Sequence, residues 1–276
     1  MKILFAAPEN AWAGFFHKIR STLPEHSFEA SGRFEIGTLE GFDVLVPTMS
    51  LVTRDVLRGA DRLRLIQQCG AGLEGVDLAA AREQNIPVAN VPTDISGNAD
   101  SVAELGIYML IGLSRDFRGM ARSHRDRKVG EPKGRALKGK TVGIVGLGGI
   151  GRALVYRLRP FGVRLMGIKL NDPEKAMEEL GLAWAGGPGD LPRLLAQSDY
   201  VVLALPMTSE SRGMIDGAAF SRMKRESFII NLSRGGLIER EALIDALASG
   251  RIAGAGLDVY WEEPPDPDDP LFRYNV

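Results

Sequence analysis

Gly146, Gly148 and Gly151 stand in the spacing G-x-G-x-x-G, directly after the apolar run from Thr141 to Val145. In that order the first glycine permits a tight turn, the second lets the backbone approach a pyrophosphate, and the third lets a helix pack on its strand. The helix opening at Gly149 and Ile150 then directs unpaired N–H groups and a partial positive charge at phosphate. A glycine-rich turn that binds nothing would not need a strand before it and a helix after it. A dinucleotide is therefore the expected ligand of Gly146, Gly148, Gly149, Ile150 and Gly151. The next strand of such a unit usually ends in an acidic residue for the ribose hydroxyls. Here it ends in Lys169, which suits a 2′-phosphate, so NADP is the preferred cofactor. Asp172, three residues on, keeps NAD as the alternative.

Arg234, in Asn231-Leu232-Ser233-Arg234-Gly235-Gly236, offers a permanently charged planar fork. Such a group can fix a carboxylate and polarise a neighbouring carbonyl while hydride arrives, and the flanking glycines are expected to let backbone and ligand come close. The histidines are His17, His26 and His124, the last inside a basic run that reads as solvated loop.

These residues need a rigid scaffold, and the sequence alternates strand-like and helix-like stretches. Apolar runs at residues 3–7, 43–47, 65–68 and 87–89 are separated by helical patterns, and the alternation restarts with five stronger strands from Thr141. The expected fold class is α/β, with two doubly wound parallel-sheet domains around a cleft: a flavodoxin-like domain over 1–93 and a Rossmann domain over 94–276. The helix from Asn98, apolar almost all round, is expected to pack between the domains, and residues 122–140 to form a surface connector.

The 34 basic and 35 acidic residues give a net charge of −1, hence no long-range field for nucleic acid or an anionic membrane. The apolar run 102–113 is too short to span a bilayer, and the opening residues read as a strand, not a signal peptide. The single cysteine, Cys69, allows no internal disulfide and no metal-binding cluster, which suits a reducing, cytoplasmic setting.

Residues 67–77, 229–238 and 256–264, with Ser101-Val102-Ala103-Glu104, resemble the signatures of the D-isomer-specific 2-hydroxyacid dehydrogenases, from about Asp43 onward. The resemblance implies reversible hydride transfer between NAD(P)H and a small 2-oxo or 2-hydroxy acid. Arg234 then binds substrate carboxylate and carbonyl, Gly70, Ala71 and Gly72 offer backbone N–H donors to the same carboxylate, and Met49 lies beside the substrate with Pro47, Thr48, Ser50 and Leu73. Glu263 is expected to orient a catalytic histidine, with Glu262 as the alternative. Asp258 is expected at the nicotinamide carboxamide, Leu205 and Pro206 at its ribose, and Leu232 and Ser233 beside the cofactor. In the family the histidine follows in a Pro-His segment, expected beyond Val276 together with a terminal helix that returns to the first domain. The family also implies a homodimer. The rival reading is a non-catalytic, nucleotide-sensing corepressor of the same family, a role that needs neither Arg234 nor Glu263.

Overall fold

A computed structural model of the chain describes residues 1–93 and 95–276; Asp94, the first residue of the expected second domain, lies outside the described residues. The described residues gather into two compact units, Met1–Ser96 and Gly97–Val276.

In the first unit, β1 (Lys2–Phe5), β2 (Ser27–Ala30), β3 (Val44–Val46), β4 (Leu65–Gln67) and β5 (Val88–Ala89) pair in parallel, in the order β2-β1-β3-β4-β5. Helices α1 (Phe15–Thr22), α2 (Arg54–Arg58) and α3 (Leu78–Glu83) lie along the connections. Successive side chains of a strand face opposite ways, so Ile3 and Phe5 join Phe16 on one side while Leu4 and Ala6 join Leu45 and Ile66 on the other. Asp77 begins α3, its carboxylate accepting the Ala80 N–H at 2.8 Å. Strand β2 was not expected. Its residues, Ser-Phe-Glu-Ala, alternate between exposed and half-buried at the sheet edge and carry no apolar run.

The second unit is a six-stranded sheet in the order β11-β10-β9-β6-β7-β8, all parallel. Its strands are β6 (Thr141–Val145), β7 (Arg164–Ile168), β8 (Trp184–Gly186), β9 (Tyr200–Leu203), β10 (Ser227–Asn231) and β11 (Ile252–Leu257). Its helices are α4 (Asn98–Arg115), α5 (Phe117–Arg125), α6 (Gly149–Leu158), α7 (Pro173–Leu180), α8 (Leu191–Gln197), α9 (Gly217–Arg222) and α10 (Arg240–Ala248). The expected five strands become six because β8, three residues long at an edge, gives too short a pattern to read.

Within its own unit helix α4 packs on α6 and the sheet: a Cβ on Gly106 would come within 2.7 Å of Leu232, and one on Gly256 within 3.1 Å of Met109. One expectation about helices is corrected. The connector expected over 122–140 begins inside α5, whose apolar residues Phe117, Met120 and Ala121 all precede residue 122, so the part of the helix within that stretch reads only as a basic run. Asp116 ends α4 in the left-handed region at φ 47°, and its carboxylate accepts the Gly119 N–H at 2.8 Å to start α5.

Helix α5 also secures the segment at the sheet edge. The Arg118 guanidinium donates to the carbonyls of Phe272, Tyr274 and Val276 at 2.7, 3.2 and 2.9 Å. The Ala255 N–H of β11 donates to the Asn275 carbonyl at 2.9 Å. No helix among the described residues is long and apolar enough to cross a membrane.

Candidate active site

Because every strand of the second sheet runs the same way, the turns after β6, β7, β9, β10 and β11 leave from one edge. That edge carries Gly146 to Gly148, Lys169, Leu205 and Pro206, Leu232 to Arg234, and Asp258. Strand order reverses between β6 and β9, the point at which doubly wound sheets open a crevice for ligands.

The three glycines have distinct physical causes. Gly146 has φ +100°, and a Cβ there would lie 2.4 Å from the Ala204 carbonyl oxygen, so this turn admits no side chain. A Cβ on Gly151 would lie 2.1 Å from the Gly146 carbonyl oxygen, which fixes how closely α6 sits on its turn. A Cβ on Gly148 would meet nothing within 4 Å. This is the bare, open backbone that a pyrophosphate needs, directly before the N-terminus of α6, so the turn fits a dinucleotide. Gly167 of β7 belongs to the same arrangement, since a Cβ there would come within 2.7 Å of Leu147 in the turn. Sequence reasoning missed it, because its partner lies twenty residues upstream.

Around Arg234, Asn231 does the positioning and was also missed. Its fully buried amide accepts the Ser233 N–H at 3.1 Å and donates to the Arg234 carbonyl at 2.8 Å. Its own carbonyl accepts the Asp258 N–H at 3.1 Å, which ties the Arg234 turn to the end of β11. The half-buried Arg234 side chain donates to the Ser233 carbonyl at 2.7 Å. The flanking glycines are needed for packing. A Cβ on Gly235 would lie 2.3 Å from the Tyr260 backbone, and one on Gly236 would lie 2.8 Å from the Met207 sulfur.

Glu263 closes the following turn by accepting the Tyr260 N–H through Oε1 at 3.0 Å. Partial desolvation, reinforced by the nearby Glu263 charge, holds the Asp258 carboxyl above the ordinary range. Glu262 has no such bond and is exposed. The Leu232 side chain is buried against α4 and its N–H donates to the Leu203 carbonyl at 3.1 Å. Ser233 is buried, its hydroxyl donating to the Leu203 carbonyl at 3.3 Å. Leu205 packs on the core beside Gly146, and Pro206 is exposed after it. Ile150 also packs on the core, so Gly149 and Ile150 offer backbone, not side chain, at the start of α6. Lys169 is half-buried, with its N–H bonded to the Gly186 carbonyl.

The first unit holds the remaining candidates at the corresponding edge of its own sheet. Thr48 has φ 57°, and the hydroxyls of Thr48 and Ser50 both donate to the Ala6 carbonyl, at 2.8 and 2.9 Å, which presents Met49 to solvent. After β4, the Val91 N–H donates to the Gly70 carbonyl and the Asn90 side chain to the Ala71 carbonyl at 2.7 Å. The turn through Gly72 is therefore anchored by its carbonyls, and among the described residues its N–H groups have no partner within the chain. Burial pushes the adjacent Cys69 thiol up to about 11, so it stays neutral. Among the described residues no group of three or more His, Cys, Asp or Glu is gathered as a metal site.

Residues 107–276 match the D-isomer specific 2-hydroxyacid dehydrogenase, NAD binding domain. The chain belongs to that family. It is 35% identical over 274 residues to D-3-phosphoglycerate dehydrogenase of Methanocaldococcus jannaschii, covering 92% of this chain and 51% of the relative. It is 34% identical over 226 residues to hydroxypyruvate reductase of Thermotoga maritima, covering 83% and 71%. The chain thus spans about half the length of the phosphoglycerate dehydrogenase it matches. Among solved structures, NAD-dependent formate dehydrogenase of Staphylococcus aureus in complex with NAD superposes with a TM-score of 0.79 at 29% identity, over 99% of this chain and 86% of that one. In this member of the family the glycine turn, the Arg234 turn and the Asp258 turn all leave one edge of the second unit's sheet.

Proposed function

We propose that the protein is an oxidoreductase that transfers hydride between NAD(P)H and a small 2-oxo or 2-hydroxy acid. The observation carrying this reading is the Asn231-braced turn that presents Arg234 on the same sheet edge as the open Gly148 backbone. When bound, the reduced nicotinamide supplies the hydride. Arg234 fixes the carboxylate and polarises the carbonyl, a task suited to a planar fork of fixed charge. The backbone N–H groups of Gly70, Ala71 and Gly72 are further carboxylate donors, and Met49 contacts the substrate. Asp258, Leu205, Pro206, Leu232 and Ser233 contact the cofactor, with Leu232 acting through its backbone.

Glu263 orients a histidine that protonates the developing alkoxide and raises that histidine's proton affinity. His17 and His26 stand beside the carboxylates of Glu9 and Glu25, and His124 lies in α5; among the described residues none of the three is paired with Glu263. The two relatives named for phosphoglycerate and hydroxypyruvate chemistry support a small hydroxy acid of that class. NADP is the proposed preferred cofactor on the strength of Lys169, with NAD the alternative. The family resemblance adds a cytoplasmic homodimer to the proposal, and domain limits of 1–93 for substrate and 94–276 for nucleotide.

Coenzyme oxidation by the full-length protein with glyoxylate and hydroxypyruvate tests the reading. Arg234→Lys keeps the charge but loses the fork, so kcat/KM is expected to fall by about a hundredfold or more while the coenzyme Kd stays the same. Near-normal turnover by that variant would refute the role of Arg234. Coenzyme binding without turnover of any 2-oxo acid by the wild type would favour the corepressor reading.

A further inference from the structure

The expected adenosine end of the site lies beside a charge arrangement that the coenzyme reading does not explain. Glu179, in the last turn of α7, accepts from the Arg152 guanidinium of α6 at 3.0 Å and sits 3.8 Å from the Lys175 ammonium. Arg152 belongs to the first turn of α6, immediately after Gly151 of the phosphate turn. The hydrogen bond from Arg152 lowers the Glu179 carboxyl below the ordinary range, with smaller contributions from the charges of Arg152, Lys175 and Lys169. Glu179 is therefore ionised at neutral pH, within electrostatic reach of the cation at the end of β7. Asp172, Glu174 and Glu178 add further negative charge along residues 169–180.

We propose that Glu179 limits the preference for NADP(H) that Lys169 gives this chain, by opposing the 2′-phosphate. This rests on the reading that the sheet edge binds a dinucleotide. A 2′-phosphate brings close to two negative charges, whereas the ribose hydroxyl of NAD(H) brings none. The field of Glu179 thus penalises one coenzyme and leaves the other nearly untouched. Part of the attraction that Lys169 offers a phosphate is cancelled by the carboxylate, and Arg152 is held as its partner. Glu179 makes no contact with substrate and acts through the two cations, so it is a specificity-determining residue by charge alone.

The test is isothermal titration of NADPH and NADH into the full chain carrying Glu179→Gln or Glu179→Asp, with the melting temperature of each variant recorded. Glutamine keeps the shape and an acceptor for Arg152 but removes the charge; aspartate keeps the charge on a shorter arm. In Glu179→Gln the Kd for NADPH is expected to fall at least about threefold while that for NADH stays within about twofold. Glu179→Asp is expected to keep the wild-type ratio, and the gain in the glutamine variant should shrink in about 0.5 M salt, where the screening length is only a few ångströms. An unchanged NADPH to NADH ratio in Glu179→Gln, or an equal change in Glu179→Asp, overturns the inference. A wild type that binds neither coenzyme overturns the dinucleotide site itself, and this inference with it.

Discussion

Gly151 shows how far a single residue type constrains the site. Its missing Cβ would sit 2.1 Å from the Gly146 carbonyl oxygen, so any side chain must push α6 off its turn. Gly151→Ala is expected to cost roughly 1–3 kcal/mol by overpacking, and to weaken coenzyme binding at least tenfold because the phosphate-facing backbone moves with the helix. Thermal or denaturant unfolding checks the first and calorimetric titration the second, and an unaltered Kd would mean that the turn does not hold the phosphates. The glycine triad was legible in the sequence because its three roles are steric and fall within six residues. Asn231 was legible only as a letter in a motif, since its two side-chain bonds are local but its third link reaches Asp258, twenty-seven residues on. The pair of Arg152 with Glu179 was not legible at all, because two helices had to be placed side by side before it existed.

Among the elements, strands with apolar runs were readable, the edge strands β5 and β11 included, and the edge strands β2 and β8 were not. Strands β6, β9 and β10 are buried along their whole length and show as continuous apolar stretches, as expected of a parallel sheet covered on both faces. Strand β2 keeps one side in solvent and β8 is only three residues long, so their residues look like loop. The start of β3 carries a testable ionic lock. Buried Asp43 accepts the Lys2 N–H at 2.7 Å and receives the Arg62 guanidinium on both oxygens. The Lys2 N–H first, and Arg62 second, hold its carboxyl below the ordinary range. A carboxylate with a depressed folded pKa stabilises above its unfolded pKa and loses that contribution as the pH falls through the folded value. Asp43→Asn is therefore expected to lower the melting temperature at pH 7, with the gap to wild type closing as the pH drops below about 4. A gap that stays constant from pH 7 to pH 3 would rule out the ionised form as the source.

On the scale of the whole molecule, alternation of strand and helix was enough to give two α/β units, because each crossover forces its strands to run parallel. Strand order was not readable from that pattern, and order decides where the crevice opens: the reversal between β6 and β9 places Gly146 against Ala204. The net charge of −1 says little about the surface, since residues 115–140 are strongly basic while residues 262–269 are acidic. One contact from that basic stretch reaches beyond its own neighbourhood. Among the described residues β11 lies at an edge of the sheet, where a bare outer row of peptide groups would be a template for strands of other molecules. The segment from Phe272 to Val276 lies over that row through the bond between Ala255 and Asn275, and Arg118 gathers the segment's carbonyls. Arg118→Ala is expected to bring forward the onset of light scattering on heating, in proportion to protein concentration, with coenzyme affinity unchanged; onset at the wild-type temperature would show that the segment holds without it. By fixing that segment, a single arginine on a neighbouring helix is expected to shield the outer row of β11 from other molecules.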